Sequence, residues 1–429
     1  MYLVAVSVPI YVDGADTYVP TDWSRSLHLL RDSLQERYGE VAVVAPFADM
    51  LETQDQLLEP IGPHIDGIRA VPTFHQRPRT RKYWLGPHFQ WRRTVADLLD
   101  NADVIHSSVI DAFQPYCYAA LRMAHRRNVK SVFVLDQDVV LRIRNVAAQH
   151  GTRQRLVSSL QARLYQSQCR TAVSEADLCF MKGRTTLQRY GHLGRFVRHI
   201  EDTSYITSDI VGDAVAMRRV EALIGTRRPV RFCYCGRLHK DKGIDASIRL
   251  LAEVRAAGRA VEFHIYGTGP EKAPLAHLAE SLGMSDVVHF RGARKYGPEL
   301  LRELSDNDLL IFTPRIDETP RMIFDGYAAG LPLVGSDIDY VRERSDTDGA
   351  GYVLARDERQ AVSQLLKILE DSSSLREKTA RAVHAAHENA ADIWYARRAE
   401  WTREAIGPGK AERRATSSCA APMRMQNHP

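Results

Sequence analysis

Short apolar runs alternate with amphipathic stretches along most of the 429-residue chain. In the first half, the runs that predict strands are Tyr2 to Val8, Val41 to Ala45, Ile68 to Val71, Asp103 to His106, Ser131 to Leu135, Asp177 to Phe180 and Val197 to Ile200. The same rhythm starts again with Val230 to Cys235, Val261 to Tyr266, Val287 to Arg291, Asp308 to Phe312, Leu331 to Gly335 and Gly351 to Leu354. Strands separated by helices form parallel sheets of βαβ units. The restart therefore predicts an α/β chain with two domains.

The spacing of these runs also predicts domain limits. We expect an N-terminal Rossmann-like domain over 1–205, a hinge over 206–228, a second Rossmann-like domain over 229–373, a terminal helix over 374–406 and a disordered polar tail over 407–429. A chain of this length, with 44% hydrophobic residues, is large enough to bury two cores.

Composition narrows the class of protein. The chain has 58 basic and 53 acidic residues, a balance that argues against a dedicated nucleic-acid binder. Its six cysteines fall mostly within apolar runs, which favours reduced core residues and a cytoplasmic location. No apolar stretch is long enough to span a bilayer, and the run from Tyr2 to Val8 lacks the flanks of a signal peptide. We expect a soluble or peripherally attached protein.

The turn after the strand that begins at Val230 combines glycines with two cations. Gly236 and Arg237 follow the strand directly, and Lys242 and Gly243 precede an amphipathic pattern typical of a helix. Backbone N–H groups at a helix start, a forked guanidinium and a point-charge ammonium suit a diphosphate. Taken alone, the segment is equally compatible with ordinary surface cations at a strand-to-helix loop.

A second strand, over 309–312, leads into an acidic loop and a short helix. Asp317 and Glu318 precede the helix and Asp325 lies on its second turn, where acids can accept hydrogen bonds from sugar and ribose hydroxyls. The start of the helix, formed by Pro320, Arg321, Met322 and Ile323, leaves free backbone amides for a phosphate. The alternative interpretation is that Asp317 and Glu318 only cap the helix and that Asp325 lies in solvent.

These two segments together resemble one known family. The pattern Gly-Arg-Leu-x-x-x-Lys-Gly over 236–243, followed by two acids with seven residues between them and a Gly-x-Pro over 317–332, is similar to retaining glycosyltransferase family 4 of the GT-B fold. Between them, Gly267 and Gly269 lie in a segment that looks like the family's Gly-x-Gly-Pro turn, where small residues let the backbone approach the donor. The resemblance covers residues 230 to 370.

The resemblance implies two Rossmann-like domains whose parallel sheets face each other across a cleft. It places the nucleotide-sugar donor on the C-terminal domain, with Asp325 at the ribose and with Arg237 and Lys242 stabilising the leaving diphosphate. The family's usual pair is two glutamates, whereas this chain has Asp317 and Asp325 at that spacing and Glu318 one residue closer. The sugar-side acid is therefore either Asp317 or Glu318.

The N-terminal half matches the family less well. Acceptor-side candidates are Asp13 and Gly14 in the first loop, His106 at a strand end, and Asp136 and Asp138 where many relatives have a histidine. Asp-x-Asp after a strand holds manganese in the other major glycosyltransferase fold. The pattern also occurs at three other places in this chain, at 306–308, 337–339 and 346–348. We therefore predict neither a catalytic metal nor a cofactor. For His106, a strand-end or core position is favoured over contact with the substrate.

Residues 74–93 have an unusual composition. Cations alternate there with aromatic side chains, the cations being Arg77, Arg79, Arg81, Lys82, Arg92 and Arg93 and the aromatics Phe74, Tyr83, Trp84, Phe89 and Trp91. Such a segment suits an anionic lipid surface, a lipid-diphosphate acceptor or a phosphorylated substrate. The alternative is a solvated loop whose aromatics fold onto the domain.

The predicted function is the transfer of a sugar from a nucleotide-sugar to an acceptor hydroxyl, in the synthesis of a glycan, a glycolipid or a natural-product glycoside. The acceptor is a sugar, a lipid-linked molecule or a small molecule, and no nucleic acid is involved. Two other enzyme classes share the fold. An epimerase needs acid/base carboxylates at the sugar, and a phosphorylase needs a lysine for pyridoxal phosphate. A non-catalytic scaffold is the third alternative.

Overall fold

The computed structural model describes residues 1–50, 57–76, 78–136, 139–140, 143, 151–226, 228–315 and 318–409. The strands are β1 (Tyr2–Ala5), β2 (Ile10–Asp13), β3 (Asp16–Pro20), β4 (Val41–Asp49), β5 (Leu58–Ile61), β6 (Ile68–His75), β7 (Val104–Ser108), β8 (Lys130–Leu135), β9 (Leu178–Lys182), β10 (Val197–Ile200), β11 (Val230–Cys235), β12 (Val261–Tyr266), β13 (Val288–Gly292), β14 (Leu309–Phe312), β15 (Leu333–Ser336) and β16 (Gly351–Leu354).

The helices alternate with these strands in most of the chain. They are α1 (Thr21–Tyr38), α2 (Thr80–Leu85), α3 (Pro87–Leu99), α4 (Tyr116–Arg126), α5 (Thr152–Glu175), α6 (Arg184–Tyr190), α7 (Asp213–Thr226), α8 (Ile244–Ala256), α9 (Lys272–Ser281), α10 (Pro298–Ser305), α11 (Met322–Ala328), α12 (Asp339–Asp348), α13 (Glu358–Glu370), α14 (Ser372–Glu388) and α15 (Ala391–Ile406). Among the described residues, no helix is both long enough and hydrophobic enough to cross a bilayer.

The N-terminal domain is built on a ten-stranded sheet with the order β10-β9-β8-β7-β1-β4-β2-β3-β5, in which β6 also pairs with β4. Alternate residues of its central parallel strands point to opposite faces. Leu3, Ile105 and Phe133 lie in one core, and Tyr2 and Val43 lie in the other. Because both faces are buried, these strands are apolar at nearly every position, which is why their sequences predict strands so clearly.

All the strands that the apolar runs predict are present, with ends that differ by a few residues. The first run stops at Ala5 rather than Val8, because the chain bends there to pair β2 with the far end of β4. Sequence reasoning missed β2, β3 and β5, which form an antiparallel edge of the sheet. Strands at an edge are short and only partly buried, so they carry a weak hydrophobic signal.

The C-terminal domain is built on a six-stranded sheet with the order β13-β12-β11-β14-β15-β16, in which every pairing is parallel. The chain adds β12 and β13 on one side of β11 and then crosses to add β14 on the other. The position between β11 and β14 is therefore a topological switch point, where the loops at the carboxyl ends diverge and leave a crevice. Both candidate motifs of the sequence follow these two strands.

Two chain segments connect the domains. α7 lies within the predicted hinge but packs into the C-terminal core, with Val220 and Leu223 buried there. The crossing is instead made close to Tyr205, where the backbone N–H of Ala391 donates to the carbonyl of Tyr205 over 2.8 Å. The predicted terminal helix is two helices that break near Asn389. α14 packs on the C-terminal domain, whereas α15 returns to the N-terminal core through Trp394 and other side chains. The predicted tail beyond residue 409 lies outside the described residues.

Candidate active site

The carboxyl ends of the two parallel sheets face a cleft of about 820 Å³ that both domains line. This volume lies in the range of small-molecule sites. The N-terminal wall includes Asp22, His106, Asp136, Lys182 and Asp202, and the C-terminal wall includes Gly236, Arg237, Lys242, Gly267, Glu318, Pro320, Arg321, Met322 and Asp325. α15 contributes Tyr395 and Arg398. The cleft thus collects most of the residues that the sequence predicts for a donor site.

The two predicted cations lie on the loop that follows β11. Arg237 is exposed to the cleft, and Lys242 lies on a short 3-10 turn and forms an ion pair with Glu318. Gly243 follows with a φ of 64°, and a Cβ atom there would lie 1.8 Å from the carbonyl oxygen of Thr313. The hydroxyl of Thr313 donates back to the Gly243 carbonyl over 2.8 Å. A glycine is required here because the β11 and β14 loops touch backbone to backbone.

Glu318 is the carboxylate of the acidic loop that lies within the described residues. One oxygen, Oε2, accepts from Lys242, whereas Oε1 is buried and has no hydrogen-bond partner among the described residues. Burial raises the pKa of Glu318, and the nearby Lys242 charge only partly opposes this effect. The capping interpretation of Glu318 is wrong, because α11 begins after Arg321 without a side-chain cap. Asp317 lies outside the described residues.

Asp325 lies on α11 and is only 7% exposed, at the inner wall of the cleft. Its Oδ1 accepts a hydrogen bond of 2.6 Å from the Tyr296 hydroxyl. Burial raises its pKa to about 6, although Tyr296 and Arg321 act in the opposite direction. Asp325 is therefore not a solvated surface acid, as the alternative interpretation held.

The strand-end glycines serve the packing of the two loops. A Cβ atom on Gly267, which has a φ of 136°, would lie 1.9 Å from the carbonyl oxygen of Gly236. One on Gly269 would lie 2.3 Å from the carbonyl oxygen of Leu238. Glycine is required at both positions because the backbone of the neighbouring loop lies so close. Gly236 and Gly267 also line the cleft, whereas Gly243, Gly269 and the fully buried Ile323 are not among the lining residues.

The side chain of Arg321 joins the two domains, whereas the sequence predicted a role only for its backbone amide. Its guanidinium reaches across the cleft to the carboxylate of Asp22 and donates to the Ser204 hydroxyl over 3.0 Å. Burial alone would lower the pKa of Arg321, but Asp202 and Asp22 outweigh this effect and raise it. The guanidinium therefore keeps its charge. Through Asp22 on α1, the side chain holds the start of α11 against the N-terminal domain. Met322, the first residue of α11, lines the cleft, whereas the backbone N–H groups of Phe324 and Asp325 donate to the carbonyl of Arg321.

The N-terminal wall carries charged side chains that the sequence did not reveal. Lys182, only 3% exposed, donates to the Thr319 carbonyl across the cleft over 2.9 Å. Burial disfavours the charge on Asp202, but Arg321, Lys182 and Arg398 outweigh that effect and its pKa lies below the ordinary value. Burial and the Asp202 charge raise the pKa of Asp136. The wall therefore alternates cations and carboxylates around a polar pocket.

Comparison with known proteins agrees with this geometry. Residues 229–371, which include both motifs, match the family described as Glycosyl transferases group 1. The crystal structure of Anabaena HepE in complex with UDP superposes with a TM-score of 0.63 and covers 94% of this chain and 99% of its own, at 15% sequence identity. The chain has the GT-B fold.

Two curated relatives match parts of this GT-B chain. The alpha-D-kanosaminyltransferase of Streptomyces kanamyceticus is 27% identical over 235 residues, which is 52% of this chain and 57% of that enzyme. The putative colanic acid biosynthesis glycosyltransferase WcaL of Escherichia coli is 24% identical over 144 residues, 32% of this chain and 35% of that protein. The chain thus matches about half the length of the first relative and a third of the second.

The remaining acceptor-side candidates divide into two groups. His106 and Asp136 line the cleft of the GT-B fold. His106 also contacts the Tyr2 hydroxyl at 3.1 Å, and burial lowers its pKa to about 3, so the ring is neutral at pH 7. Asp13 and Gly14 instead form the exposed tip of the β2–β3 hairpin and are not among the residues that line the cleft. Asp138 lies outside the described residues.

A second charged cluster joins the domains beside the cleft. Glu201, from the end of β10, accepts a 2.9 Å hydrogen bond from the Tyr340 hydroxyl and lies 3.4 Å from the Arg344 guanidinium. His199, Glu201 and Glu343 also bring their ligand atoms within 4.8 Å of one another. Arg344 already serves as the counter-ion of both glutamates, so the cluster is explained as an interdomain contact.

The pKa of Asp325 predicts a pH effect on stability. The folded state binds the Asp325 proton more tightly than the unfolded state, so the fold loses stability as the pH rises from 3.8 to about 6. Asp325→Asn cannot ionise and keeps an acceptor for Tyr296. We expect its free energy of unfolding, relative to wild type, to increase by up to about 3 kcal/mol across this window. Denaturant titration at several pH values measures this difference, and a difference that does not change with pH would contradict the assignment.

Proposed function

We propose that this protein is a retaining glycosyltransferase of family 4 type, which transfers a sugar from a nucleotide-sugar to an acceptor hydroxyl. One observation carries the proposal. Two segments far apart in sequence, one after β11 and one after β14, converge on one cleft at the switch point between these strands and carry Arg237, Lys242, Glu318 and Asp325. Ligands of open α/β sheets bind at this position.

Each group on the C-terminal wall has a partner in a nucleotide-sugar. Arg237 and Lys242 suit the diphosphate, since guanidinium and ammonium groups bind phosphate oxygens. Asp325, which accepts a hydrogen bond from the Tyr296 hydroxyl, suits the ribose hydroxyls. Glu318 offers the unpartnered Oε1 to a sugar hydroxyl. The three N–H donors of Lys242 allow it to contact Glu318 and a phosphate at the same time.

The proposed donor is a uridine nucleotide-sugar. Anabaena HepE, which shares the fold, was crystallised with UDP and also with UDP-glucose. In our proposal the acceptor enters from the N-terminal wall, where Asp136, Lys182 and Arg398 provide polar contacts. The product belongs to a glycan, a glycolipid or a natural-product glycoside.

The proposed mechanism follows from the charges. The acceptor oxygen attacks the anomeric carbon on the face from which the diphosphate departs, and configuration is retained. As the bond to the acceptor forms, the bond to the phosphate oxygen breaks, and the acceptor proton passes to that oxygen. Arg237 and Lys242 stabilise the charge that grows on the diphosphate, which is electrostatic stabilisation aimed at the transition state. The two cations provide this without a metal.

Ligand-induced stabilisation tests the proposal. The protein is melted with UDP, GDP, ADP and UDP-glucose in the presence of EDTA. A nucleotide at a hundred times its Kd stabilises the fold by about 2.7 kcal/mol, so the correct base gives a clear shift. We expect the stabilising nucleotide-sugar to be hydrolysed slowly, or transferred when an acceptor is added. Stabilisation by none of the nucleotides would favour the scaffold. Loss of turnover in EDTA, with recovery in manganese, would contradict the metal-free mechanism and direct attention to Asp136.

A further inference from the structure

Large apolar side chains are exposed mainly on one face of the N-terminal domain. Of the twelve that the described residues expose, eight lie on three neighbouring segments. They are Trp84, Leu85 and Phe89 on α2 and α3, Ile110 in the loop after β7, and Leu156, Val157, Leu160 and Leu164 on α5. We call this set the apolar face. Leu85, Phe89 and Leu156 are 74%, 64% and 69% exposed. Single apolar residues on a surface need no explanation, whereas a group of them marks an interaction site.

Hydrogen bonds hold the three segments side by side. The indole N–H of Trp84 donates to the carbonyl of Phe113 over 3.1 Å, and the Gln168 amide donates to the carbonyl of Ala112 over 3.1 Å. The loop after β7 therefore lies between α2 and α5. Ile110, on that loop, also lines the cleft. The apolar face is thus continuous with the N-terminal entrance of the cleft.

Among the described residues, no element covers the first half of α5. Its buried residues begin only at Ala162, and the turns before it are exposed. Leu156, Leu160 and Leu164 are spaced by four residues, so they form a single stripe along the helix. An amphipathic helix with an exposed apolar stripe normally packs against a partner.

The charges around the apolar face have one sign. The cations on α2, α3 and the first half of α5 are Arg79, Arg81, Lys82, Arg92, Arg93, Arg153, Arg155 and Arg163. No acidic residue occurs over 78–93 or 152–164, and the loop between them has only Asp111. Asp111 accepts from the backbone N–H groups of Phe113 and Gln114 and so caps its own loop. The chain as a whole is nearly balanced, with 58 basic and 53 acidic residues, so this concentration of cations is local.

We propose that the apolar face binds the surface of an anionic lipid bilayer, and that the acceptor is attached to a lipid of that bilayer. Aromatic and aliphatic side chains enter the interface while flanking cations contact lipid phosphates. The charge pattern favours a bilayer over a second copy of this chain, since two such faces would repel each other. Docking places the N-terminal entrance of the cleft beside the lipid headgroups. The lipid-linked acceptor rests on the proposed function, whereas the binding of the bilayer does not.

Sedimentation with vesicles tests the binding. The full chain is mixed with vesicles of phosphatidylcholine, with and without phosphatidylglycerol. We expect the protein to sediment with the anionic vesicles only, and to be released by high salt because exposed charges are screened. The triple variant Arg79→Gln, Arg81→Gln, Lys82→Gln should bind about a hundredfold more weakly. Its matched control is Arg249→Gln, Arg302→Gln, Lys272→Gln, which removes the same charge from exposed positions of the C-terminal domain.

The apolar contribution is tested separately. Leu85→Gln with Phe89→Gln, and Leu156→Gln with Leu160→Gln, should each reduce vesicle binding about tenfold or more, since each pair removes side chains that enter the interface. The control is Val215→Gln with Leu282→Gln, which alters exposed apolar side chains of the C-terminal domain. All these positions are exposed, so the variants should unfold like wild type. The proposal would be overturned if both apolar-face double variants bound vesicles as well as the control double variant does. A dimer that only the apolar-face variants dissociate would overturn it too. If nucleotides stabilise the protein but the protein does not bind vesicles, the bilayer proposal is wrong and the glycosyltransferase proposal is unaffected.

Discussion

Arg237→Ala should lower kcat about a hundredfold or more in a protein that remains folded. Arg237 is exposed to the cleft and forms no ion pair with a described carboxylate, so its removal leaves no buried charge unpaired. The loss falls on the transition state, where the diphosphate gains charge that the guanidinium no longer balances. Steady-state kinetics with the donor identified by thermal shift measures the effect, and circular dichroism verifies the fold.

The same loop provides a matched control. Lys240 is an exposed cation two residues before Lys242 and is not among the cleft-lining residues. Lys240→Ala should therefore keep near-normal turnover. Lys242→Ala should resemble Arg237→Ala in rate but should also lower stability, because it leaves Glu318 buried without its cation. Turnover that survives both Arg237→Ala and Lys242→Ala would remove the basis for the donor site.

Asp325→Ala and Glu318→Gln should separate nucleotide binding from sugar positioning. Asp325 is assigned to the ribose, so its loss should weaken the binding of the free nucleoside diphosphate and of the sugar donor alike. Glu318→Gln should leave the nucleoside diphosphate bound nearly normally and lower kcat by about a hundredfold, because the sugar is no longer held in the reactive orientation. Calorimetric titration with the nucleotide and single-turnover rates measure the two effects.

Two further variants make the comparison specific. Tyr296→Phe removes the 2.6 Å hydrogen bond to Asp325 and keeps the carboxylate, so a moderate effect on nucleotide affinity is expected. Asp317→Asn tests the other candidate for the sugar-side acid. If Asp317→Asn reduces turnover and Glu318→Gln does not, the sugar contact belongs to Asp317. If neither does, while nucleotide binding is intact, the acidic loop has no part in transfer and the scaffold gains support.

The sequence predicted the residues of the C-terminal wall of the cleft better than those of the N-terminal wall. Arg237, Lys242, Glu318 and Asp325 lie in short segments whose order and spacing are informative, and a parallel sheet brings the ends of neighbouring strands together. The N-terminal wall includes Asp22, Lys182 and Asp202, and α15 adds Arg398 beside it. These four residues belong to different elements. Each is a single charged residue in an ordinary context, and only Lys182, at the end of an apolar strand, carried any local signal.

Side chains that cross between the domains have roles that the sequence did not predict. Arg321 stands at the start of α11, as the motif requires, but its guanidinium binds Asp22 and Ser204 of the other domain. Residues 74–93 also divide, since Phe74, Tyr83 and Trp91 are buried while Trp84 and Phe89 are exposed. The buried aromatics agree with the interpretation that they fold onto the domain, whereas lipid contact stays a prediction. No pattern in the sequence distinguishes these aromatics, because the division depends on which side chains face the β6 and α4 packing surface.

By itself, the sequence determined the two-domain α/β organisation, the central strands and the two motif loops of this protein. Those features depend on local periodicity and on the burial of both sheet faces, which leave a continuous apolar signal in each strand. The tertiary structure alone decided the antiparallel edge, the return of α15 with Arg398, the Lys242–Glu318 ion pair and the apolar face. These depend on contacts between residues tens to hundreds of positions apart, whose geometry is set by how the two domains pack and not by any local run of residues.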